Sequence, residues 1–396
     1  MIREKDKDRL PYIEGIRGIA CLLVVFCHLS CVFLPNYYNI SETSNTFEKI
    51  WIYSPLNVFN NGNFSVQCFF VLSGYLITRK IYKQRCGTKF IVISPFKTYR
   101  KLLHIVFPAI LFSWFLMEAG LMKHMDALKV NDNLAFVKGY NDFNSSPFNC
   151  LYDIFVRTFI QSSDYVGPLW TIKLELQGTV LISLLAYYLS SIVKHRKEMY
   201  LVYFAFAAAF CPSLIAFLFG SFAFECESNL DNDYSCVGKT ISFILNKLKY
   251  FTIVLGIYLA STNHYFVGLY YPLGVKKVVP AFVFRACGIS IIIYYIQKSL
   301  VLQKALSAKP LRFLGKLSAY IYAFHWPIIL SFGCGMYILL KDISYSIALL
   351  VIFISVVIMT VLLSFLYCCI LPYIIEMEKK TVRKITNCFH ITREEK

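Results

Sequence analysis

Charge is scarce in this chain: only 16% of its 396 residues are Asp, Glu, Lys or Arg, well below the share in soluble domains. Its 14 cysteines include no paired CxxC spacing, and most (Cys21, Cys27, Cys31, Cys68, Cys287, Cys368, Cys369) sit in apolar runs as small hydrophobes. Disulfide scaffolds and zinc modules are thereby excluded, and Cys27-His28-Leu-Ser-Cys31 reverses the order of a haem attachment box, so no metal is expected. There is no GxxxxGK[ST] loop, no HExxH pair, no GxSxG elbow and no histidine followed five residues later by aspartate. Soluble-type hydrolase and glycerolipid acyltransferase chemistry therefore has no support. Internal repeats, low-complexity tracts, a soluble domain and a cleavable signal are also missing. What is abundant is apolar: 57% hydrophobic and 17% aromatic residues, with mean hydropathy +0.57. That composition describes an integral membrane protein. The surplus of Lys+Arg 40 over Asp+Glu 23 does not indicate nucleic-acid binding, because such chains are not built from repeated membrane-length apolar runs.

Nine runs are long enough to be membrane helices, at 18–34, 64–78, 102–121, 168–193, 199–221, 248–262, 282–302, 317–340 and 345–373. Segment 79–101 holds Arg79, Lys80, Lys83, Arg85, Lys89, Lys97, Arg100 and Lys101 and no acid, so the positive-inside rule puts it, and the N-terminus two helices earlier, in the cytoplasm. Alternation then places the Lys194–Lys197 turn inside and the acidic Glu225, Glu227, Asp231, Asp233 loop outside. The basic tail (Lys379, Lys380, Arg383, Lys384) also asks for the cytoplasm, and nine crossings would end outside. A tenth is expected between Thr262 and Ala281, disguised by Pro272, Pro280 and Lys276-Lys277. The expected fold is an all-α polytopic membrane helical bundle of about ten transmembrane helices with both termini cytoplasmic. It divides into a tail at 1–8, a membrane domain at 9–375 and a basic tail at 376–396. The polar, aromatic loops 35–63 and 123–167 are expected to be ordered over the outer mouth.

Ionisable residues inside apolar helices are costly enough to be functional candidates. Arg17 and His28 are eleven residues apart, about 1100° or within about 20° of three turns, so they share a helix face about 16 Å apart along the axis. Glu14 can pair with Arg17. A core histidine bonded to a neighbouring helix is the structural alternative for His28. In Gly167-Pro-Leu-Trp-Thr-Ile-Lys-Leu-Glu175, Trp170 sits near the interface and Glu175 some two turns in, with Lys173 on the opposite side of the helix. Glu175 thus needs a partner from another helix, a cavity or a substrate. His325, just ahead of a helix-loosening Pro327, suits packing or cavity lining. Arg285 reads as a snorkelling residue.

Five motifs occur in order: Arg9-Leu-Pro-Tyr-Ile-Glu-Gly-Ile-Arg-Gly-Ile-Ala20 with Val24-Val-Phe-Cys-His28; Phe69-Phe-Val-Leu-Ser-Gly-Tyr-Leu-Ile-Thr78; Arg100-Lys-Leu-Leu-His-Ile-Val-Phe-Pro108; Leu169 to Glu175; and Leu314 to Pro327. Over residues 9 to about 372 the chain resembles the acyltransferase-3 family of integral membrane acyltransferases, whose bacterial members O-acetylate surface polysaccharides. It departs from the family pattern at His104, usually arginine, and Lys173, usually small and neutral. The resemblance implies an acyl-coenzyme A donor on the cytoplasmic side, acetyl-CoA above all. It implies as acceptor a hydroxyl of a surface glycan or lipid-linked saccharide on the other side of the inner (plasma) membrane. No tightly bound cofactor is implied, and the remaining partners are membrane lipids. Donor binding falls to Arg17, Arg100, Lys101, His104 and Ser73, and catalysis to His28 and Glu175. Trp170, Tyr320 and His325 fall on the acceptor side or the cavity wall.

The physics agrees. Coenzyme A is a polyphosphate with a thin arm, so it needs guanidinium groups at a mouth and a reactive group at depth. His28 could act as general base or accept the acyl group itself, and Glu175 could orient His28 or handle the acceptor. A transporter or flippase of a glycan or lipid intermediate is the other reading, against which stand the absence of an inverted repeat and of an acidic ion-coupling cluster.

Overall fold

A computed structural model describes residues 10–34, 36, 46–84, 87–140, 143, 145–191, 196–228, 243, 247–262 and 278–394. It is 89% helical, with no strand among the described residues. Among the described residues ten long helices form a bundle: α1 (Pro11–Phe33), α2 (Gly62–Gln84), α3 (Thr88–Glu118), α4 (Trp170–Ser191), α5 (Arg196–Phe210), α6 (Ile215–Ser228), α7 (Lys249–Ala260), α8 (Val278–Lys298), α9 (Lys309–Ile328) and α10 (Tyr345–Glu394). Among the described residues six helical stretches are long and apolar enough by themselves to cross a membrane, and two more, in α5 and α7, are shorter and apolar.

Residue pairings set the direction of each pass. The α1 and α9 helices run side by side in the same sense, Gly18 meeting Gly315 and His28 meeting His325, while Gly15 meets Leu306 just ahead of α9 and Gly315 meets Glu14. A Cβ on Gly15 or Gly315 would fall 1.9 Å from a carbonyl oxygen of the other segment, so only glycine permits this approach. The α2 and α6 helices are likewise parallel: Gly74 faces Phe217, Thr78 bonds to Ser221 and Tyr82 to Glu225. The α7 and α8 helices are antiparallel, with Gly288 against Ala260, Ile291 against Gly256 and Tyr295 bonded to Thr252. Antiparallel contacts also join α3 to α4 (Ser94 with Ser183), α5 to α6 (Tyr200 with Ser221) and α9 to α10 (Tyr320 with Tyr367, Gly333 with Val356). The result is strict up-down alternation.

Ten passes were expected, but the tenth arises elsewhere than between Thr262 and Ala281. Most of that interval lies outside the described residues, yet the antiparallel packing of α7 on α8 returns the chain on the side where it left. The extra pass comes from the run 199–221, which breaks at Cys211 and Pro212 into the α5–α6 hairpin. Proline removes an amide donor and crowds the preceding turn, so the helix stops there. The acidic residues change ends as a consequence. Glu227 bonds to Tyr75 (2.5 Å) and Gln297 (3.2 Å), and Glu225 to Tyr82, all at the basic end rather than at the opposite one. Asp231 and Asp233 lie outside the described residues.

The basic stretch is mostly helical: α3 begins at Thr88 and carries Lys97, Arg100 and Lys101 on its first half. Glu14 pairs with Arg312 (3.6 Å), one strut of the α1–α9 contact. Arg285 does not snorkel. It is buried, donates to the Thr262 carbonyl (3.2 Å) and stands over the Phe282 ring (5.3 Å). At that same end Asn57 and Asn61, from and just after the turn Pro55–Asn60, donate to the Ser261 and Thr262 carbonyls.

Residues 124–140 cover the end of α9, with Phe136 and Tyr140 packed on Trp326. His124 donates to the Tyr140 carbonyl (2.8 Å). Burial pushes its imidazole below the usual histidine range, while that hydrogen bond and Asp126 act in the opposite sense. Residues 147–160 do not join this cover. They descend along α3, where the Tyr99 hydroxyl donates to the Phe155 carbonyl (2.8 Å), and the chain climbs back to Ser113, which donates to the Tyr165 carbonyl (2.9 Å).

Candidate active site

A cavity of about 440 Å³ opens among α1, α2, α3, α4, α9 and α10, within the size range of small-ligand sites. Its charged wall is Arg17 from α1, Lys101 from α3, Glu175 from α4 and Lys316 from α9; Ser73 and Tyr320 add hydroxyls, and Cys368 and Leu371 close one side. Five of the sequence-derived site residues therefore meet: Arg17, Lys101, Ser73, Glu175 and Tyr320. Lys316 is not among the sequence-derived site residues, because it opens an apolar run, where a lysine reads as an end-of-helix anchor.

Glu175 finds its partner on α2, its Oε1 accepting from the Ser73 hydroxyl at 2.8 Å. Arg17 has a buried Nε with no hydrogen-bond partner. Lys101 lines the same cavity and is exposed. Cationic donors held in a pocket and left open are the electrostatic requirement for an anionic guest.

Tyr322 connects this cavity to the histidines. Its ring lines the cavity, and its hydroxyl donates to the Pro168 carbonyl (2.5 Å) and accepts from Thr171 (3.0 Å). Its own carbonyl holds His325 Nδ1 at 2.7 Å. Neither Tyr322 nor Thr171 stood out in the sequence, although Tyr322 lies three residues before His325. His325 Nε2 in turn approaches His28 Nδ1 at 3.2 Å, the rings 4.9 Å apart. His28 is half-buried; its Nδ1 is also 2.9 Å from the Val24 carbonyl, and the Trp326 ring meets it edge-on at 5.3 Å. Carbonyl oxygens only accept, so both imidazoles carry hydrogen on Nδ1 when neutral. Just beyond, Pro327 leads into a π-helical turn, Ile329–Gly333, an irregularity that recurs at functional sites.

Three expected site residues stand apart. Arg100 and His104, one turn from each other on α3, face α10, where Glu378 lies 4.0 Å from Arg100 and 3.3 Å from His104. Trp170 is half-buried at the start of α4 and does not line the cavity. Among the described residues no group of three His, Cys, Asp or Glu side chains is placed to hold a metal ion.

A polytopic α-helical bundle that encloses open cationic groups beside paired imidazoles is the scaffold of an integral membrane enzyme. The family model described as an acyltransferase domain, acyltransferase-3, matches residues 10–369, and the chain belongs to that family, whose members transfer acyl groups other than aminoacyl groups. No curated protein and no solved structure matches it.

Proposed function

We propose that the protein moves an acyl group, acetyl in the simplest case, from cytoplasmic acyl-coenzyme A across the inner membrane to a hydroxyl of a surface polysaccharide or its lipid-linked precursor. The supporting observation is one continuous arrangement: Arg17 and Lys101 in a cavity, joined through Tyr322 to His325 and His28. Phosphates of the donor pair with Arg17 and Lys101, since guanidinium and ammonium groups bind such anions by charge-assisted hydrogen bonds. Arg100 and His104, beside Glu378, form an outlying basic pair on α10's side.

His28 Nε2 then removes the proton of the acceptor hydroxyl. The hydroxyl oxygen bonds to the thioester carbon, the carbon–sulfur bond breaks, and the departing thiolate takes the proton back from His28 Nε2. Glu175, fixed by Ser73, faces the same cavity and balances its cationic wall.

Mass spectrometry of the surface glycan with and without the gene tests this reading. Loss of an acyl mass from one sugar is the expected result. An unchanged glycan, together with no acetyl-CoA binding by the purified protein, refutes it and leaves a flippase role.

A further inference from the structure

We infer that His325 is a positioning residue for acyl transfer, holding His28 in the one neutral form that presents Nε2 to the reacting hydroxyl. The inference rests on the function proposed above and adds to it the residue that sets the base.

The hydrogen-bond chain leaves little freedom. The Tyr322 carbonyl at 2.7 Å has no hydrogen to give, so His325 Nδ1 carries one. A neutral imidazole has a single N–H, which leaves His325 Nε2 as a bare acceptor, 3.2 Å from His28 Nδ1. The Val24 carbonyl at 2.9 Å makes the same demand of His28 Nδ1. One hydrogen is thus shared between Val24 and His325, and the lone pair of His28 lies on Nε2, at the far corner of the ring. Trp326 against one side of the ring restrains its rotation.

A packing role alone accounts poorly for His325. It is completely buried, in a stretch of α9 buried from Leu317 through Ile328 except for Ala319. Burying a polar ring costs free energy unless it is hydrogen-bonded, and one of the two bonds that offset this cost for His325 is made to His28. The value of this bond also rises during the reaction. When Nε2 of His28 takes the hydroxyl proton, the Nδ1–H···Nε2 bond to His325 becomes charge-assisted, so it is stronger in the transition state than in the resting enzyme. The logic is that of a base oriented by a third group, with an imidazole in the place more often held by a carboxylate.

The test uses purified full-length protein with two substitutions, His325→Phe and His325→Gln, and measures acetyl-CoA affinity and turnover separately. Phe keeps a ring and removes the acceptor; Gln keeps a carbonyl acceptor. The expected outcome is a turnover loss of about tenfold to a hundredfold for His325→Phe, the scale of a misplaced reacting group. Acetyl-CoA Kd should change less than about twofold, because the donor is held by Arg17 and Lys101 in the cavity, whose lining does not include His28 or His325, and Gln should recover most of the turnover loss. In a His28→Ala background His325→Phe should cause no further loss, because it acts only through His28. Equal turnover losses in the Phe and Gln variants, undiminished turnover in His325→Phe, or a further loss in the His28→Ala background each overturn the inference. Wild-type protein that neither binds acetyl-CoA nor transfers an acyl group overturns the function itself, and the inference with it.

Discussion

The cavity and the histidine pair share two helices, α1 and α9, yet their polar groups are left in opposite states. In the cavity, Arg17 keeps a buried Nε without a partner and Lys101 is open to the enclosed space. One stretch further along the same helices, every polar atom of His325 is engaged and His28 has a defined free corner. Groups left open are completed by a guest, whereas groups already satisfied are preorganised for chemistry and cost no rearrangement when charge develops. Binding and turnover should therefore separate along α1.

The sharpest way to break that contrast is His28→Ala. Turnover should fall about 10²- to 10⁴-fold, the usual span for losing a general base, while calorimetry finds acetyl-CoA binding intact. A variant that folds and keeps more than about a tenth of wild-type turnover would return His28 to a packing role. Next in size is Arg17→Ala, for which donor affinity should drop about tenfold to a hundredfold, the equivalent of about 1.5 to 3 kcal/mol for a charged hydrogen bond. Arg100→Ala should cost no more than about 1 kcal/mol, because that side chain is 56% exposed and paired with Glu378. Equal effects at the two arginines would move the phosphate site from the cavity to the α3–α10 surface.

A stability variant away from the site sharpens the comparison from the other side. In Gly288→Ala the new Cβ would lie 2.4 Å from the Ala260 backbone nitrogen, forcing α7 and α8 apart. We expect a loss of about 1 to 3 kcal/mol, typical of overpacking, read as a lower melting temperature in detergent with turnover per folded molecule preserved. The smallest expected effect is a pH dependence of the cover at His124. Its folded-state pKa lies below the unfolded value, so the unfolded chain binds the extra proton more readily. Its contribution to stability is complete above about 6.5 and declines as pH falls below that. His124→Gln should flatten the acid side of the melting profile, and an unchanged profile would show that burial of this ring matters little.

Much of the site was legible because it depends on one helix at a time. The eleven-residue spacing of Arg17 and His28 put both on one face whatever α1 packed against, and a buried glutamate at 175 announced the need for a partner without naming it. That partner, Ser73, is 102 residues away in the chain, and no periodicity within α4 points to it. The α5–α6 hairpin was missed for a related reason. Its two arms are apolar throughout, so hydropathy merges them, and only the single Pro212 marks the turn. One misplaced crossing then reversed the side assigned to Glu225 and Glu227.

Hydropathy, charge asymmetry and helical period are properties of individual segments, and from them alone the chain determined that it is a helical membrane protein with about ten passes and buried ionisable groups on particular faces. Which of those groups meet was decided only by packing between distant helices. Glycine contacts at Gly18 and Gly315 bring α1 against α9 closely enough for His28 to reach His325. The turn of α3 that sends Lys101 into the cavity leaves Arg100 on its outer side. The physical reason is that a buried polar group takes whichever partner the surrounding backbones bring within about 3 Å, and that distance exists only once the bundle has closed.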